Sequence, residues 1–261
     1  MKKTVSLLLC CLLLFTLFGT PTFSAAPSAL HWYCIREKDH KQPRTPAELR
    51  FVEEYGGYHI DHRHGDDNPD KVVYLTFDAG YENGNVAKTL DILKEQEVPA
   101  AFFVLKHLVE DAPTLIKRMA EEGHFVCNHT AHHKDLSRSS KETVKNEILE
   151  LEDAVKAVIG EGTKTYFRPP EGNFSREMLE SVHALGYRTV FWSFAYADWD
   201  NDRQPKAEAA KEKILTNVHN GAVILLHPTS ATNVQILGEV IEALKGEGYR
   251  FGTLDELCAA R

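Results

Sequence analysis

The chain has 261 residues, 43% hydrophobic and 26% charged, enough for one domain with an appendage. Its 10% aromatic content excludes wholesale disorder, and 16 Gly, 11 Pro and 5 Cys exclude collagen-like and disulfide-dense classes. Thirty basic against 38 acidic residues leave a net charge of −8, which argues against a nucleic-acid binder.

Lys2 and Lys3 precede a largely apolar run from Val5 to Phe18, followed by small residues up to Ala26. That pattern predicts a secretory signal peptide over residues 1–24, too short in its apolar part for a stable membrane span. Removing it takes away Cys10 and Cys11 and leaves Cys34, Cys127 and Cys258, so no disulfide framework is expected. Loss of the two lysines moves the mature charge from −8 to −10. Residues 25–70 read as an N-terminal extension, with a helix-like piece from Pro46 to Tyr55 and a polar, turn-rich stretch from Asp61 to Asp70.

From Lys71 the pattern alternates. Strands are expected at Val72–Phe77, Ala100–Leu105, Phe125–Asn128, Thr165–Arg168, Thr189–Ser193, Ala222–Leu226 and, weakly, Arg250–Thr253. Helices are expected between them over Gly84–Glu97, Ala112–Glu122, Ser139–Ile159, Ser175–Leu185, Lys206–Val218 and Asn233–Lys245. Seven strands separated by helices indicate an α/β fold with a parallel sheet, either doubly wound or closed as a barrel. In both, function sits at the carboxyl ends of the strands.

Polar residues fall at those ends. Asp78 follows the first strand, His129-Thr130-Ala131-His132-His133 the third, and Arg168 closes the fourth before Pro169-Pro170-Glu171-Gly172. Asp198 and Trp199 follow the fifth, and His227 closes the sixth. The four-residue spacing of His129 and His133 suits two imidazoles on one side of a helical turn, a common way to hold Zn²⁺ or a similar divalent ion. His59, His62 and His64 form a weaker alternative group for a metal. Asp78 after an apolar strand needs a charge partner, for which Arg168 is the candidate. His227 suits general acid/base work, with Asp198 to orient it.

These stretches resemble the five ordered motifs of the polysaccharide deacetylases, carbohydrate esterase family 4: T-F-D-A-G at 76–80, H-T-A-H-H at 129–133, R-P-P-E-G at 168–172, D-W at 198–199 and L-L-H at 225–227. The resemblance implies a metal-dependent de-N-acetylase on a distorted (β/α)7-type barrel over residues 71–257. It also implies roles: Asp78 as general base, His129 and His133 as ligands of a divalent ion such as Zn²⁺, and Arg168 holding Asp78. His227 would be the general acid tuned by Asp198, and the Glu171 backbone N–H an oxyanion donor. Tyr81, Trp192, Trp199 and Leu225 are candidate substrate contacts. Y-E-N-G at 81–84 and His31-Trp32 resemble the branch that deacetylates N-acetylmuramic acid in peptidoglycan, whose product goes on to muramic δ-lactam in spore cortex. An exported protein acting on peptidoglycan glycan strands in the wall or cortex is therefore expected, with no nucleic-acid partner and no integral span after signal cleavage.

Two positions depart from the family pattern. Ala79 stands where a second, metal-ligating aspartate is usual, with Glu82 as a nearby oxygen donor, and Ala195 stands where many members carry an earlier aspartate. Ala79 leaves room for a wall-glycan-binding relative with a dead site. A glycoside hydrolase using Asp78 and Asp198 as its carboxylate pair is the third class, and it leaves the histidine pair unexplained.

Overall fold

A computed structural model describes residues 28–259; the expected signal peptide lies outside the described residues. The main sheet contains β2 (Gly57–Tyr58), β3 (Lys71–Ala79), β4 (Ala101–Val104), β5 (Phe125–Asn128), β6 (Lys164–Phe167), β8 (Arg188–Val190), β9 (Ala222–Leu226) and β10 (Tyr249–Phe251). All its pairings are parallel, in the order β10-β3-β4-β5-β6-β8-β2, with β9 also on β3. Past β8 the chain bridges β9: Ser193 N–H donates to Val223 O (3.0 Å) and Leu225 N–H to Phe194 O (2.9 Å), so the sheet curls toward a barrel. The α/β expectation of a distorted barrel holds. A separate pair joins β1 (Leu30–His31) antiparallel to β7 (Asn173–Phe174).

Side chains alternate across each strand, and the cores divide accordingly. Val72, Tyr74, Ala101, Phe103, Cys127, Tyr166, Val190 and Val223 fill one cluster inside the curl. Val73, Leu75, Phe77, Ala79, Phe102, Val104, Val126, Ile224 and Leu226 face the opposite way, into a cluster shared with the helices. That outer layer includes α1 (Val86–Glu95), α2 (Lys106–Asp111), α3 (Pro113–Glu121), α4 (Lys141–Ile159), α5 (Arg176–Ala184), α6 (Ala207–Asn217) and α7 (Ala231–Gly246). The last helix, α8 (Leu254–Leu257), sends Leu254 and Leu257 into the inner cluster. Continuing the inner parity by two residues past each strand's apolar part reaches Asp78 on β3, His129 after β5, Arg168 after β6 and His227 after β9.

Three differences from expectation have local causes. The helix expected over Ala112–Glu122 is present as α3, but a further short helix, α2, precedes it and meets it at Ala112, because Pro113 has no N–H to continue α2 and starts α3 instead. β3 extends to Ala79, so Asp78 is held within a strand. The eighth strand of the sheet, β2, comes from the extension and pairs with β8 through Gly57↔Thr189 and Tyr58↔Val190. It follows a 3-10 helix over Ala47–Tyr55. The chain doubles back so tightly that a Cβ on Gly57 would lie 2.2 Å from Val52 Cγ1, a clash only glycine avoids.

Trp32 ties the extension to the sheet. It is 1% exposed, stacks on Phe191 with centroids 4.4 Å apart, and donates its Nε1–H to Trp192 O at 2.8 Å. Cys34 is half-buried and Cys127 fully buried, each a free thiol.

Candidate active site

A cleft of about 710 Å³ opens at the carboxyl end of the sheet. Asp78, His129, His133 and His227 line it, together with Glu171, Tyr81, Trp192, Trp199 and Leu225. Arg168 and Asp198 stand behind this surface, 0% and 1% exposed, each holding one of the lining groups.

Arg168 is fixed on four sides. Its Nη1 donates to Asp78 Oδ1 (2.8 Å), its Nη2 to Thr76 Oγ1 (3.0 Å) and Phe191 O (3.3 Å), and its Nε to Val190 O (2.9 Å). Its guanidinium also lies 4.1 Å from the centroid of Phe103. Burial opposes ionisation of Asp78, yet the charges of Arg168, His129 and His227 prevail and hold its carboxyl below the ordinary range. Asp78 is thus a carboxylate with one oxygen engaged by Arg168 and the other, Oδ2, 3.6 Å from His129 Nε2.

His129 Nδ1 bonds Arg168 O at 2.8 Å. Since a carbonyl only accepts, Nδ1 carries the hydrogen and Nε2 presents its lone pair toward Asp78. Burial is the main reason its pKa falls to about 4, so the ring is a neutral donor near pH 7. His133 meets it edge-on with centroids 5.1 Å apart. The intervening residues form bends rather than the expected helical turn. Thr130 (φ 72°) and His133 (φ 55°) are left-handed, and Thr130 Oγ1 accepts from His133 N–H at 2.9 Å. Strain at two non-glycine residues buys the approach of the two rings. His132 turns away to Glu147.

These donors suit a divalent ion: one imidazole with its tautomer fixed by a carbonyl, a second ring beside it, and a carboxylate alongside. The set is short by one ligand. Ala79 is fully buried in the helix-side cluster and offers no donor atom. Glu82 does not replace it, because Oε1 accepts from Gly84 N–H (2.9 Å) and Oε2 from Val86 N–H (3.0 Å), capping α1.

On the opposite wall, Asp198 Oδ1 accepts from His227 Nδ1 (2.7 Å) and Oδ2 from His227 backbone N–H (2.8 Å). Nε2 is therefore the proton-carrying position toward the cleft. Burial works against the imidazolium, but Asp198, aided by Asp78, raises the His227 pKa above the ordinary histidine value. Asp198 is turned inward and does not face Asp78 across the cleft, as a glycosidase carboxylate pair requires.

Glu171 is held at φ 56° within the Pro170–Gly172 turn. Next to it, Gly172 (φ 72°) packs so closely that a Cβ would lie 2.8 Å from Trp192 Cη2 and 3.2 Å from Trp32 Cβ. The turn is thereby pressed against the wall where the Glu171 backbone N–H is the candidate oxyanion donor. Trp199 is 60% exposed and edge-on to His227, and Tyr81 accepts from Asn201 Nδ2 at 2.5 Å, giving the cleft an aromatic rim.

Sequence reasoning missed several residues. His31, from the extension, lines the cleft and bonds Asn173 Oδ1 at 3.0 Å; only its pairing across to β7 reveals this. Leu105, Tyr196 and Thr229 also line it. Asn233, in the first turn of α7, donates to Asp198 Oδ2 (2.6 Å) and His227 O (3.1 Å) and accepts from Tyr196 Oη. Its six-residue offset from His227 was the available signal. Replacing Asn233 with Leu leaves Asp198 short of a buried donor, which costs about 1–3 kcal/mol. The kcat of the reaction at this cleft is expected to fall roughly tenfold with KM little changed; steady-state kinetics over pH checks this.

Residues 65–190 match the family model described as polysaccharide deacetylase. The chain is 36% identical over 251 residues to the peptidoglycan-N-acetylmuramic acid deacetylase PdaA of Bacillus subtilis, spanning 95% of this chain and 94% of that one. The solved structure of that family 4 carbohydrate esterase superposes with a TM-score of 0.82 at 37% identity, covering 88% of this chain and 96% of its own. A peptidoglycan-N-acetylglucosamine deacetylase of Bacillus cereus is 32% identical over 73% of this chain and 89% of its own. A CE4 family pseudoenzyme from Bacillus anthracis superposes at TM-score 0.67 and 25% identity, over 73% of this chain and 66% of its own.

Proposed function

This chain belongs to the polysaccharide deacetylase family, carbohydrate esterase family 4, and from that premise we propose that it removes the N-acetyl group from N-acetylmuramic acid in peptidoglycan. The enzyme class is a hydrolase of amide C–N bonds. The observation that carries the reading is the placement of Asp78 and His227 on one cleft, each held by its own buried partner, Arg168 and Asp198.

Asp78 Oδ2 takes a proton from water as the water oxygen bonds to the acetyl carbon. The Glu171 backbone N–H donates to the oxyanion that develops. His227 Nε2 then gives its proton to the sugar nitrogen as the C–N bond breaks, so acetate and a free amine leave. His129 and His133 would hold a divalent ion, Zn²⁺ in this proposal, which when bound supplies Lewis-acid polarisation of the carbonyl and a more acidic water. Tyr81, Trp192, Trp199 and Leu225 would contact the sugar.

Muramic acid is preferred over glucosamine because the likeness to the N-acetylmuramic acid deacetylase runs through 95% of the chain, extension included, whereas the likeness to the N-acetylglucosamine enzyme covers 73%. The extension bears on specificity directly, since its His31 lines the cleft. A freed muramic amine lies next to its own lactyl carboxyl, and their condensation gives the δ-lactam of spore cortex. Export follows from a substrate in the wall, and among the described residues no helix is long and apolar enough to cross a membrane.

A second reading, glycan binding without turnover, is favoured by Ala79. Incubating the purified protein with muramyl glycan strands, with and without chelator, separates the readings. Acetate release at muramic residues, with strand length unchanged, is expected. Deacetylation confined to glucosamine contradicts the sugar assignment, and binding with no acetate under any added divalent ion favours the second reading.

A further inference from the structure

Among the described residues, one three-residue group brings metal-ligating atoms within 4.8 Å of one another, and it lies outside the cleft: Glu53, His59 and His62. From this juxtaposition we infer that the N-terminal extension carries a second divalent-cation site, of Zn²⁺ class, formed by the Glu53 carboxylate and the two imidazoles.

Three short elements assemble it. Glu53 sits near the end of the 3-10 helix over Ala47–Tyr55, His59 directly follows β2, and His62 opens the 3-10 turn His62–His64. His62 Nε2 already lies 2.9 Å from Glu53 Oε1, and the His59 and His62 rings meet edge-on with centroids 5.9 Å apart. Ligands about 2.0–2.2 Å from a tetrahedral Zn²⁺ stand about 3.3–3.5 Å from each other. A limit of 4.8 Å therefore asks for side-chain adjustments of about an ångström and no backbone rearrangement. Nitrogen and carboxylate donors suit Zn²⁺ and its neighbours over Ca²⁺ or Mg²⁺, which favour all-oxygen sites.

The surroundings support the choice of these three. His59 is fully buried and its Nε2 is 2.7 Å from Thr45 Oγ1, so the ring has an outer-sphere partner of the kind that orients ligating histidines. His62 is exposed, leaving a side open to solvent for the ion and a completing water. Arg63, the adjacent cation, is turned to Asp61 at 2.9 Å. His64, grouped with His59 and His62 from sequence, is excluded because its two nitrogens face Asp61 (2.8 Å) and Asp70 (3.1 Å). Behind His59 lies Trp32, with centroids 4.7 Å apart, and Trp32 is bonded to the cleft residue Trp192. An ion here clips the helix of the extension to its returning strand and braces the wall behind the cleft.

The test reads metal content and stability, independently of activity. The protein carrying His129→Ala and His133→Ala is dialysed against micromolar Zn²⁺ and its metal content is measured. It is expected to retain about one zinc per chain, bound at least tenfold more weakly when His62→Ala or, separately, Glu53→Gln is added, and zinc is expected to raise the melting temperature only while the Glu53–His59–His62 group is intact. Failure of the His129/His133 variant to hold zinc overturns the inference. So does undiminished zinc in both added variants.

Discussion

Asp78→Asn is expected to lower kcat/KM on N-acetylated glycan by about 10²–10⁴, the usual loss when a positioned general base is removed. The same change has a second effect, on stability. Arg168 is fully buried, and Asp78 is its charge partner at 2.8 Å. Removing one member of a buried pair costs up to about 3–5 kcal/mol, because the other charge is left uncompensated. The lower end applies here, since Thr76, Val190 and Phe191 still accept from the guanidinium. Denaturant unfolding of Asp78→Asn, Arg168→Met and the double variant checks this. The double variant should be destabilised by less than the sum of the singles, while activity stays lost in all three. Additive destabilisation would show that the two charges do not depend on each other.

His227→Ala is expected to cost about 10²–10⁴ on the amide substrate and far less on an aryl acetate. An amine cannot leave a tetrahedral intermediate readily without a proton, whereas an aryl oxide can. Equal losses on both substrates would remove the general-acid role. The pH profile carries the same information. Asp78 must be ionised and its carboxyl titrates below the ordinary range, so activity is lost only as pH falls through that low value. His227 must be protonated and titrates above the ordinary histidine value, so activity persists through neutrality and falls as pH rises beyond it. Asp198→Asn removes the partner that raises His227 and should move the basic limb to lower pH.

The convergence of these groups was legible in the sequence because strand parity is local. Val72, Tyr74 and Thr76 alternate with residues that face the helices, and the same alternation carries on to Asp78. Cys127 leads to His129, Tyr166 to Arg168 and Leu225 to His227 by the same two-residue step. A parallel sheet brings the equivalent ends of all its strands to one face, so parity and strand order together nearly determine the site. What could not be read depended on contacts distant in sequence. β2 is two residues long and has no pattern of its own; it exists because Gly57 and Tyr58 find β8, some 130 residues away. His31 reaches the cleft through an equally short pair with β7. Glu82 is offered by its neighbourhood as an oxygen ligand, and the unmet N–H groups at the start of α1 claim it first.

Ala79 sets the sharpest question, because one missing carboxylate is compatible with a working enzyme or a glycan-binding relative. Acetate released per chain from muramyl glycan strands, measured for the wild-type protein beside Asp78→Asn and His227→Ala, answers it. Many turnovers by the wild type with both variants nearly silent is the expected result. Absence of acetate from folded wild-type protein supplied with divalent ion, or full release by both variants, would contradict hydrolysis at this cleft.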